Sequence, residues 1–579
     1  MNRALRPVIT LSLLTLSITL QAAPAVSTGQ GGAVATISEQ ASRAAIAILD
    51  QGGNAIDAAV AAAATLGVTD PFSCGIGGGG FMLIYSADDD KVISIDHRET
   101  APAYFHPGIF QHNGEAMAWE EVVPTGISVG VPGTVLGWQE ALGRYGTMSL
   151  EQTLAPAIEV AEQGFTVTDN FHRIAQKNEH KFARFEPSRA LYLQNGKALP
   201  VGSHFSNPDL AATYRAIAKG GAQAFYEGDI ARDIVAAVNQ PPVVDGVSVL
   251  SATMTLNDLK DYEVRLRQPI HSTYRGYDVY GMAPPSSGGI AIAQALNLLE
   301  TRDLSAASRT EVEHLYLEAS RLAFADRNAY VADTEFTDVP IAGLLSKEYA
   351  KHRAPQLEAR AAGQRGPGDP FAYQDDPSVP LRPAAAGLMQ ESAHTTHLAV
   401  SDRHGNVVAY TFTIEDWGGS GIVVPGRGFL LNNELTDFDF SAPHPNVAEA
   451  FKRPRSSMSP TIVLRDGKPA FTIGSPGGST IITTVLQTMV NHIDLGMSLA
   501  DALAAPRMSQ RNGDTTLVET LLGFPGSEQA RALEALGHRF VETDQIGAAN
   551  GIAFHADGSV TAVSEPRRHG VGTALVQQQ

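Results

Sequence analysis

Apolar residues recur at helical spacing through much of residues 150–335, and they alternate with polar residues, as in β-strands, in the last third of the chain. Ser38 and Asn54 are predicted to cap two successive helices. Asp57 stands where a capping box places an acid, and Gly52 and Gly67 follow the two periodic segments. Further helices are predicted from Ile290 onward and over residues 154–162, 209–219, 228–238, 311–326, 480–492, 498–504 and 526–536.

Three hairpins are predicted after residue 395, because β-rich segments there flank short clusters of turn residues. Their strands cover residues 396–401 with 407–413, 461–464 with 469–473, and 552–555 with 560–563. Two earlier strands are expected at residues 81–85 and 91–95. Hairpins are antiparallel, and helices are predicted towards both ends of the chain. The pattern therefore favours an α+β fold in which sheets are sandwiched between helix layers.

Composition and charge narrow the functional classes. The 579 residues correspond to about three or four domain equivalents. The net charge of −19 argues against nucleic acid and against anionic membrane surfaces, because both require a basic face. The single cysteine, Cys74, cannot form an internal disulfide. It is expected to be a small buried residue, since nothing near it in sequence supplies the base that a cysteine nucleophile needs.

Residues 1–25 have the pattern of a secretory signal peptide. Arg3 and Arg6 form a basic start, residues 8–20 are apolar, and residues 21–25 offer small side chains for cleavage. The apolar run is shorter than the ~20 residues that a membrane-spanning helix needs. The mature protein is therefore expected to be soluble and exported, periplasmic or secreted.

The glycine run at residues 75–80 matches the GxGxxG pattern of dinucleotide-binding proteins. Its context differs from theirs, because the dinucleotide fingerprint follows a strand and opens a helix, whereas here a helix precedes the run and a strand follows it. A loop at which backbone segments pack closely is the better interpretation. An interpretation of the chain as a dinucleotide-dependent oxidoreductase would depend on this run alone.

The segment at residues 354–390 is rich in Pro, Gly, Ala, Asp and Arg and is predicted to be exposed and mobile. Immediately after it come Glu-Ser-Ala-His-Thr-Thr-His, residues 391–397. If the first hairpin turn centres on His404, opposed residue numbers sum to 808 (twice 404), so Thr395 faces Thr413. Their Cβ atoms would lie ~4.5–5.5 Å apart, close enough for a hydroxyl–hydroxyl hydrogen bond. Threonine pairs are also common in sheets through strand propensity alone.

Thr395 is a candidate nucleophile that generates its own base. A threonine hydroxyl needs a nearby base, and a free N-terminal amine, with a pKa of ~7.7–8, accepts a proton near neutral pH. A threonine that becomes a new N-terminus carries both groups. The hypothesis is that the Thr395 hydroxyl attacks the carbonyl of His394 and that water opens the resulting ester.

A glycine turn offers candidate oxyanion donors. A predicted strand ends near Ile473, Gly477 and Gly478 allow close approach, and a helix follows. Backbone amides at a helix N-terminus point outward and carry partial positive charge, as an oxyanion hole requires. Taken alone, the same residues also fit an ordinary glycine turn.

Several blocks taken together resemble the γ-glutamyltranspeptidase family (γ-glutamyltransferases), whose members are autoprocessed N-terminal nucleophile hydrolases. The blocks follow the family order from about residue 29 to the C-terminus, which makes the resemblance specific although no single block is. They are residues 75–81, 98–102, 131–133, 324–327, 395–397, 405–406, 430–434, 453–461 and 474–479.

The resemblance implies a four-layer αββα fold and a role for each candidate site residue. Thr395 would be the nucleophile, Thr413 would support it, and Gly477 and Gly478 would form the oxyanion hole. The other assignments concern the charged end of a γ-glutamyl group: Arg98, Ser456 and Ser457 for its α-carboxylate, and Glu415, Glu434 and Asp437 for its α-ammonium. A guanidinium with hydroxyl groups suits a carboxylate, and carboxylates suit an ammonium.

Two features separate this chain from many bacterial members of the family. Position 415 holds Glu where many members have Asn, which makes the ammonium pocket more acidic. The stretch between Asp437 and Arg453 is short, so the chain resembles members that lack a lid loop over the substrate. The site is therefore expected to be open to water, which bears on the balance between transfer and hydrolysis.

The resemblance also implies fragments, partners and the absence of cofactors. Cleavage between His394 and Thr395 would leave a large fragment, 26–394, and a small catalytic fragment, 395–579, associated as a heterodimer. A glutathione-like molecule would be the donor, and water, an amino acid or a peptide amine would be the acceptor. No metal is expected, because His394 and His397 are predicted on a strand without further ligands.

Two other functions remain open at this point. A glutaryl or cephalosporin acylase of the same fold would use the same nucleophile, but a glutaryl group has no α-ammonium to match the acidic pocket. A non-catalytic periplasmic binding protein would use Arg98, Ser456 and Ser457 to hold a ligand without cleaving its own chain.

Overall fold

Two seven-stranded antiparallel sheets lie face to face at the centre of the structure, a computed structural model that describes residues 24–374, 394–565 and 572–578. In spatial order, sheet 1 contains Arg265–Arg267, Lys91–Asp96, Gly79–Ser86, Val407–Thr413, Thr396–Ser401, Ala33–Thr36 and Thr573–Val576. Sheet 2 contains Ala25–Gly29, Val560–Ser564, Asn550–Phe554, Lys468–Gly474, Thr461–Arg465, Tyr277–Gly281 and Ile270–Tyr274.

Helices cover the outer face of each sheet. The helix Ala55–Thr69 packs on sheet 1, and its apolar residues share one buried cluster with Leu398 and Val408. The helices Gly288–Glu300 and Thr480–Ile493 share a second buried cluster with the apolar residues of sheet 2. The order helix, sheet, sheet, helix confirms the predicted α+β fold with four αββα layers.

The remaining helices surround this core or form its periphery. They are Glu39–Asp50, Trp119–Val122, Thr134–Tyr145, Leu150–Gln163, Asp169–Lys177, Glu179–Phe182, Glu186–Tyr192, Pro208–Gly220, Gln223–Tyr226, Asp229–Asn239, Leu256–Lys260, Arg309–Tyr330, Ile341–Leu345, Lys347–Arg353, Leu499–Ala504 and Glu528–Ala535. Short 3₁₀ turns occur at Gly126–Ser128, Ala354–Gln356, Phe371–Tyr373 and Glu434–Asp437. Minor sheets consist of Gln111–His112 with Glu115–Ala116, Phe165–Thr166 with His204–Phe205, Leu193–Gln194 with Lys197–Ala198, and Met508–Ser509 with Thr516–Glu519 and Phe540–Thr543.

The three predicted hairpins are all present. Thr396–Ser401 pairs with Val407–Thr413, Thr461–Arg465 with Lys468–Gly474, and Asn550–Phe554 with Val560–Ser564. In the first hairpin Thr396 opposes Phe412, so opposed residue numbers sum to 808 and the predicted register is confirmed.

Asp402 fixes the turn of the first hairpin. Its Oδ1 accepts hydrogen bonds from the backbone amides of His404, at 2.8 Å, and Asn406, at 3.1 Å. Its Oδ2 accepts from the amide of Ala55, at 2.9 Å, where the helix Ala55–Thr69 begins. One carboxylate thus closes the turn and ties the hairpin to the helix layer behind it, which holds the register that opposes Thr395 to Thr413.

The sequence pattern missed strands at the sheet edges and chain ends. Ile270–Tyr274 and Tyr277–Gly281 form a hairpin at the edge of sheet 2, inside a stretch that periodicity indicates as mainly helical. The described chain also begins and ends in strands, Ala25–Gly29 and Thr573–Val576, not in helices. Ala25 pairs with Ser564, a partner more than 500 residues away, so local periodicity carries no signal of this pairing.

The glycine run lies between the helix Ala55–Thr69 and the strand Gly79–Ser86, as its sequence context indicates. A Cβ atom added at Gly78 would lie 2.0 Å from the carbonyl oxygen of Thr413. The run therefore serves close backbone packing against the strand that carries Thr413. Cys74, directly before the run, is buried as predicted.

Parts of two predicted segments lie outside the described residues, namely residues 1–23 of the signal peptide and residues 375–393 before the candidate nucleophile. The described part of the segment predicted to be mobile is not exposed throughout, because Phe371 is buried against Tyr330. Within residues 24–374, 394–565 and 572–578, no helix combines the length and the apolar character needed to cross a membrane.

Candidate active site

The candidate nucleophile lies at the start of a central strand of sheet 1. Thr395 directly precedes the strand Thr396–Ser401, and its hydroxyl oxygen lies 3.4 Å from that of Thr413 on the neighbouring strand. Both residues are buried, with 5% and 2% of their surface exposed. The pair that the hairpin register predicts is therefore formed, at the long end of hydrogen-bonding distance.

The carbonyl oxygen of His394, at the predicted cleavage point, contacts both hydroxyl groups. The Thr395 hydroxyl lies 2.7 Å from it, and the Thr413 hydroxyl lies 3.0 Å from it. Thr413 also accepts a hydrogen bond from the amide of Glu415, at 2.8 Å, which directs its own proton away from that amide and towards His394. Thr413 is thus placed to stabilise negative charge that develops on this oxygen.

The predicted oxyanion turn connects sheet 2 to a helix. The strand Lys468–Gly474 ends just before it, and the helix Thr480–Ile493 begins just after it. Gly477 has φ +138° and Gly478 has φ +55°, which are conformations that favour glycine. A Cβ atom at Gly477 would also lie 2.5 Å from the Thr480 hydroxyl. The turn is therefore tight enough to require glycine and lies where the ends of the two sheets meet.

A small cavity brings the predicted site residues together. It has a volume of about 20 Å³ in the uncleaved chain, room for one or two water molecules. Its lining consists of Arg98, His394, Thr395, Thr413, Glu415, Glu434, Asp437, Ser456, Ser457, Met458, Gly478 and Ile481. All predicted site residues except Gly477 are included, and Met458 and Ile481 are apolar members that the sequence reasoning missed.

Arg98 forms the charged centre of one wall. Its guanidinium pairs with Glu434 and, at 2.5 Å, with Asp437, and it donates to the carbonyl oxygen of Arg455 at 3.0 Å. Only 1% of the Arg98 side chain is exposed. The family resemblance assigned Arg98 and these two carboxylates to opposite charges of a substrate, whereas in the structure they also bind one another.

The acidic wall holds more carboxylates than Arg98 can neutralise. Burial raises the pKa of Glu434 to about 7 although Arg98 acts to lower it, and the negative charge of Asp437 adds to the rise. Burial also raises the pKa of Glu415 well above its usual range, with Asp437 and Asp416 adding to the effect. Glu415 is held by the side-chain amide of Asn433 and adopts φ +77°. An ammonium group is the natural complement of such an electron-rich, buried site.

Ser456 and Ser457 face the cavity because a second arginine holds their loop. Arg327 donates to the Ser457 hydroxyl at 2.7 Å and to the Ser287 hydroxyl at 3.0 Å. The Ser287 hydroxyl in turn donates to the carbonyl oxygen of Ser456, at 2.7 Å. The Ser457 side chain and the Ser456 backbone are therefore fixed from behind by a buried hydrogen-bonded chain.

His394 and His397 point to different surroundings. The His394 ring stacks on Trp417 at 3.5 Å between ring centroids, and the His397 Nδ1 atom lies 2.8 Å from the Thr411 hydroxyl. Burial lowers the pKa of His397 to about 3, so its ring is neutral near pH 7. The two rings do not converge on a common point, as a shared metal ion would require.

Some residues that order the site were assigned no role from the sequence. Asn433 orients Glu415 and accepts a hydrogen bond from the Asp416 amide at 2.9 Å, and Arg327 holds Ser457. Both lie in blocks of the family resemblance, which was the available signal. Lys181 pairs with Asp416 at 2.7 Å from 235 residues away, and nothing in its sequence neighbourhood indicates this contact.

The fold and the site together define a class of protein. A threonine begins a central strand of one sheet, a glycine turn follows a strand of the facing sheet, and helix layers enclose both. This is the αββα arrangement of the N-terminal nucleophile hydrolases, in which the residue at the head of a strand becomes the attacking group.

Comparison with known proteins identifies the family within that class. The profile of the gamma-glutamyltranspeptidase family matches residues 41–575. A glutathione hydrolase proenzyme of Bacillus subtilis (strain 168) is 38% identical, over 95% of this chain and 92% of its own length. The acylase ACY 1 proenzyme of Pseudomonas sp. (strain V22) is 37% identical, over 95% of this chain and 94% of its own length. The crystal structure of the cephalosporin acylase from Bacillus halodurans has a TM-score of 0.85 and 28% identity, over 98% of this chain and 100% of that one.

The chain therefore belongs to the gamma-glutamyltranspeptidase family. It is an enzyme of the autoprocessed, threonine-dependent N-terminal nucleophile type, as the sequence resemblance implied, and a non-catalytic binding protein is not supported. Relatives named as acylases lie at nearly the same identity as those named as glutathione hydrolases.

Proposed function

We propose that the chain is the precursor of a γ-glutamyltransferase and glutathione hydrolase that cleaves itself between His394 and Thr395. The observation that carries the proposal is the contact of both threonine hydroxyl groups with the His394 carbonyl oxygen. Attack of Thr395 Oγ1 on the carbonyl carbon places negative charge on the oxygen that Thr413 already contacts. The peptide C–N bond then breaks, the amine takes up a proton, and water hydrolyses the ester to a His394 carboxylate and a free Thr395 hydroxyl.

The mature site would repeat this chemistry on a small substrate. The new Thr395 amine accepts the proton of the Thr395 hydroxyl as it attacks the γ-amide of the donor. Amides of the turn at Gly477 and Gly478 would stabilise the oxyanion, and the leaving amine takes the proton as the C–N bond breaks. Water or an acceptor amine then attacks the γ-glutamyl ester and restores the free threonine.

The charge of the cavity favours a γ-glutamyl donor over a glutaryl donor. The α-ammonium of a γ-glutamyl group would bring positive charge to Glu415, Glu434 and Asp437, and its α-carboxylate would meet Arg98 and the serine hydroxyls. A glutaryl group would bring only the carboxylate, and so would add negative charge to a lining that already holds three acids and one arginine. Excess buried charge of one sign is costly, so the acylase function is the second candidate.

Donor preference tests this proposal directly. We expect kcat/KM for γ-glutamyl-p-nitroanilide to exceed that for glutaryl-p-nitroanilide by about 100-fold, the scale of one or two charge-assisted hydrogen bonds. The leaving group is the same in both, so the ratio reports the acyl pocket alone. Glu415→Gln should lower the ratio of kcat/KM for the γ-glutamyl donor to kcat/KM for the glutaryl donor. Equal rates, or faster glutaryl cleavage, would make the protein an acylase.

Ligand binding is expected to depend on pH through Glu434. Its pKa of about 7 lies above the ordinary carboxyl value, so folding favours the protonated form, and this contribution to stability is lost as pH rises through about 7. The affinity for an ammonium group should instead increase as pH rises, because binding requires the ionised carboxylate of Glu434. The competitive inhibition constant of L-glutamate should fall about ten-fold from pH 6 to pH 8, whereas that of glutarate should not. Glu434→Gln should remove the glutamate dependence; if the dependence persists in that variant, another group controls binding.

The two fragments would stay together after cleavage. In sheet 1, strands of the large fragment flank the small-fragment strands Thr396–Ser401 and Val407–Thr413 on both sides. In sheet 2, Ala25–Gly29 pairs with Val560–Ser564, and Tyr277–Gly281 pairs with Thr461–Arg465. Such interleaving supports a heterodimer of residues 26–394 and 395–579. Export to the periplasm or the medium is supported by the signal-like pattern of residues 1–25.

A further inference from the structure

A second depression lies beside the nucleophile cavity and belongs to none of the roles above. This groove has a volume of about 340 Å³, within the range of small-molecule sites. Its lining is Phe324, Arg327, Asn328, Ser479, Ser509, Arg511, Gly513, Thr515, Leu517 and Val541. The nucleophile cavity has a volume of only about 20 Å³, so a substrate that reaches Thr395 must extend beyond that cavity.

The groove shares a wall with the catalytic cavity. Gly478 lines the cavity, and the next residue, Ser479, lines the groove. Arg511 donates to the Ser479 hydroxyl at 2.5 Å. On the same wall Arg327 lines the groove and donates to Ser457, which lines the cavity, at 2.7 Å. A molecule in the groove therefore lies next to the turn that would bind the oxyanion.

The charge of the groove is opposite to that of the protein as a whole. The chain has a net charge of −19, yet the described residues that line the groove include two arginines and neither Asp nor Glu. Arg327 is buried and engaged with Ser287 and Ser457, so it contributes fixed positive charge. Arg511 is half-buried and anchored through Ser479. A half-buried guanidinium beside hydroxyl groups is a strong site for a carboxylate.

We propose that this groove binds the free carboxylate of the amine that leaves the donor or attacks the acyl-enzyme, an amino acid or a short peptide, with Arg511 as the residue that contacts it. The proposal rests on the acyl-transfer function proposed above. Leaving amine and acceptor amine share one subsite, because transfer to an amine is the reverse of amide cleavage. The leaving amine takes a proton from the Thr395 ammonium, and an incoming amine returns a proton to the Thr395 amine, so the groove itself exchanges none.

Two donors that differ by one carboxylate test the proposal. γ-Glutamyl-p-nitroanilide has an uncharged leaving group, and γ-glutamyl-3-carboxy-4-nitroanilide carries a carboxylate on the same ring. In the wild-type enzyme kcat/KM should favour the carboxylated donor. Arg511→Gln should lower the ratio of the two kcat/KM values about ten-fold, the scale of one charge-assisted hydrogen bond. Arg511→Lys should retain part of the preference, and Thr515→Glu, at an exposed position of the groove, should reduce it through repulsion.

A matched change elsewhere provides the control. Arg43→Gln removes an exposed arginine that pairs with Glu39 on a surface helix, and it should leave the ratio of the two donors as in the wild type. The proposed role of the groove would be refuted if Arg511→Gln left the ratio of the two kcat/KM values unchanged, or if the wild-type enzyme showed no preference for the carboxylated donor. Either result would leave the proposed γ-glutamyl transfer intact. If the wild type cleaved neither γ-glutamyl donor, the proposed function itself would fail, and the groove proposal with it.

Discussion

Thr395→Ala is expected to remain a single uncleaved chain and to show no γ-glutamyl transfer or hydrolysis. The substitution removes the hydroxyl that lies directly before the strand Thr396–Ser401, 2.7 Å from the His394 carbonyl oxygen. Without cleavage, no free amine forms, so nucleophile and base are lost together. Activity should fall by roughly 10⁶-fold, the scale on which nucleophile removal acts in other acyl-transfer enzymes. Intact mass and the rate on γ-glutamyl-p-nitroanilide measure the two effects.

Neighbouring substitutions make this test specific. Thr396→Ala removes the hydroxyl of the adjacent residue, which is also fully buried, and it should cleave before residue 395 as the wild type does. Thr395→Ser keeps the hydroxyl and should still cleave, which leaves a serine at the new N-terminus. Normal processing of Thr395→Ala, or cleavage at any other bond in the wild type, would rule out the mechanism. Thr413→Ala should slow processing, because Thr413 contacts the same carbonyl oxygen at 3.0 Å.

Arg98→Gln is expected to destabilise the fold and to weaken donor binding at the same time. Arg98 is 1% exposed and is the ion-pair partner of both Glu434 and Asp437. Removal of one partner of a buried ion pair typically costs about 3–5 kcal/mol, because the remaining charge stays buried. The free energy of unfolding should fall by about that amount, and KM for the γ-glutamyl donor should rise by about 100-fold through loss of the carboxylate contact.

The double variant Arg98→Gln/Glu434→Gln separates the two effects. It removes the Glu434 charge together with Arg98, so part of the free energy of unfolding that Arg98→Gln loses should be recovered. The effects of the two substitutions on that free energy should therefore be non-additive. The affinity for the donor should not recover, because both substrate contacts are absent. Arg144→Gln, which breaks an exposed helical ion pair with Glu140, provides the control and should leave the free energy of unfolding close to that of the wild type, because exposed ion pairs contribute little to stability. If Arg98→Gln changed the free energy of unfolding as little as Arg144→Gln, the buried ion pairs of Arg98 would not stabilise this wall of the cavity.

Much of the catalytic hairpin could be predicted from local sequence. The turn residues around His404 and the alternation of the strands set a register in which opposed numbers sum to 808, and the structure has that register. Burial on both faces leaves a hairpin little freedom to slip by one residue, because a slip would turn every side chain to the opposite face. The pairing of Thr395 with Thr413 follows from that constraint.

Contacts between distant segments could not be predicted in the same way. The pairing of Arg98 with Glu434 and Asp437 joins residues more than 330 positions apart, and it places against each other groups that the family resemblance assigns to opposite charges of a substrate. Lys181 reaches Asp416 from a helix with no motif. The hairpin Ile270–Gly281 was missed because its strands lie at a sheet edge, where pairing with Thr461–Arg465 stabilises them.

The sequence by itself determined the hairpin register that opposes Thr395 to Thr413, the glycine turn and, through the order of its motifs, the family and its αββα layers, because these depend on periodicity, turn chemistry and motif order along the chain. Only the tertiary structure decided how the charges are arranged. It showed that Arg98 is shared by two carboxylates, that burial raises the pKa of Glu415 and Glu434, and that a basic groove borders the glycine turn at Gly477 and Gly478. Burial and electrostatic coupling arise from residues hundreds of positions apart, so they exist only once the chain has folded.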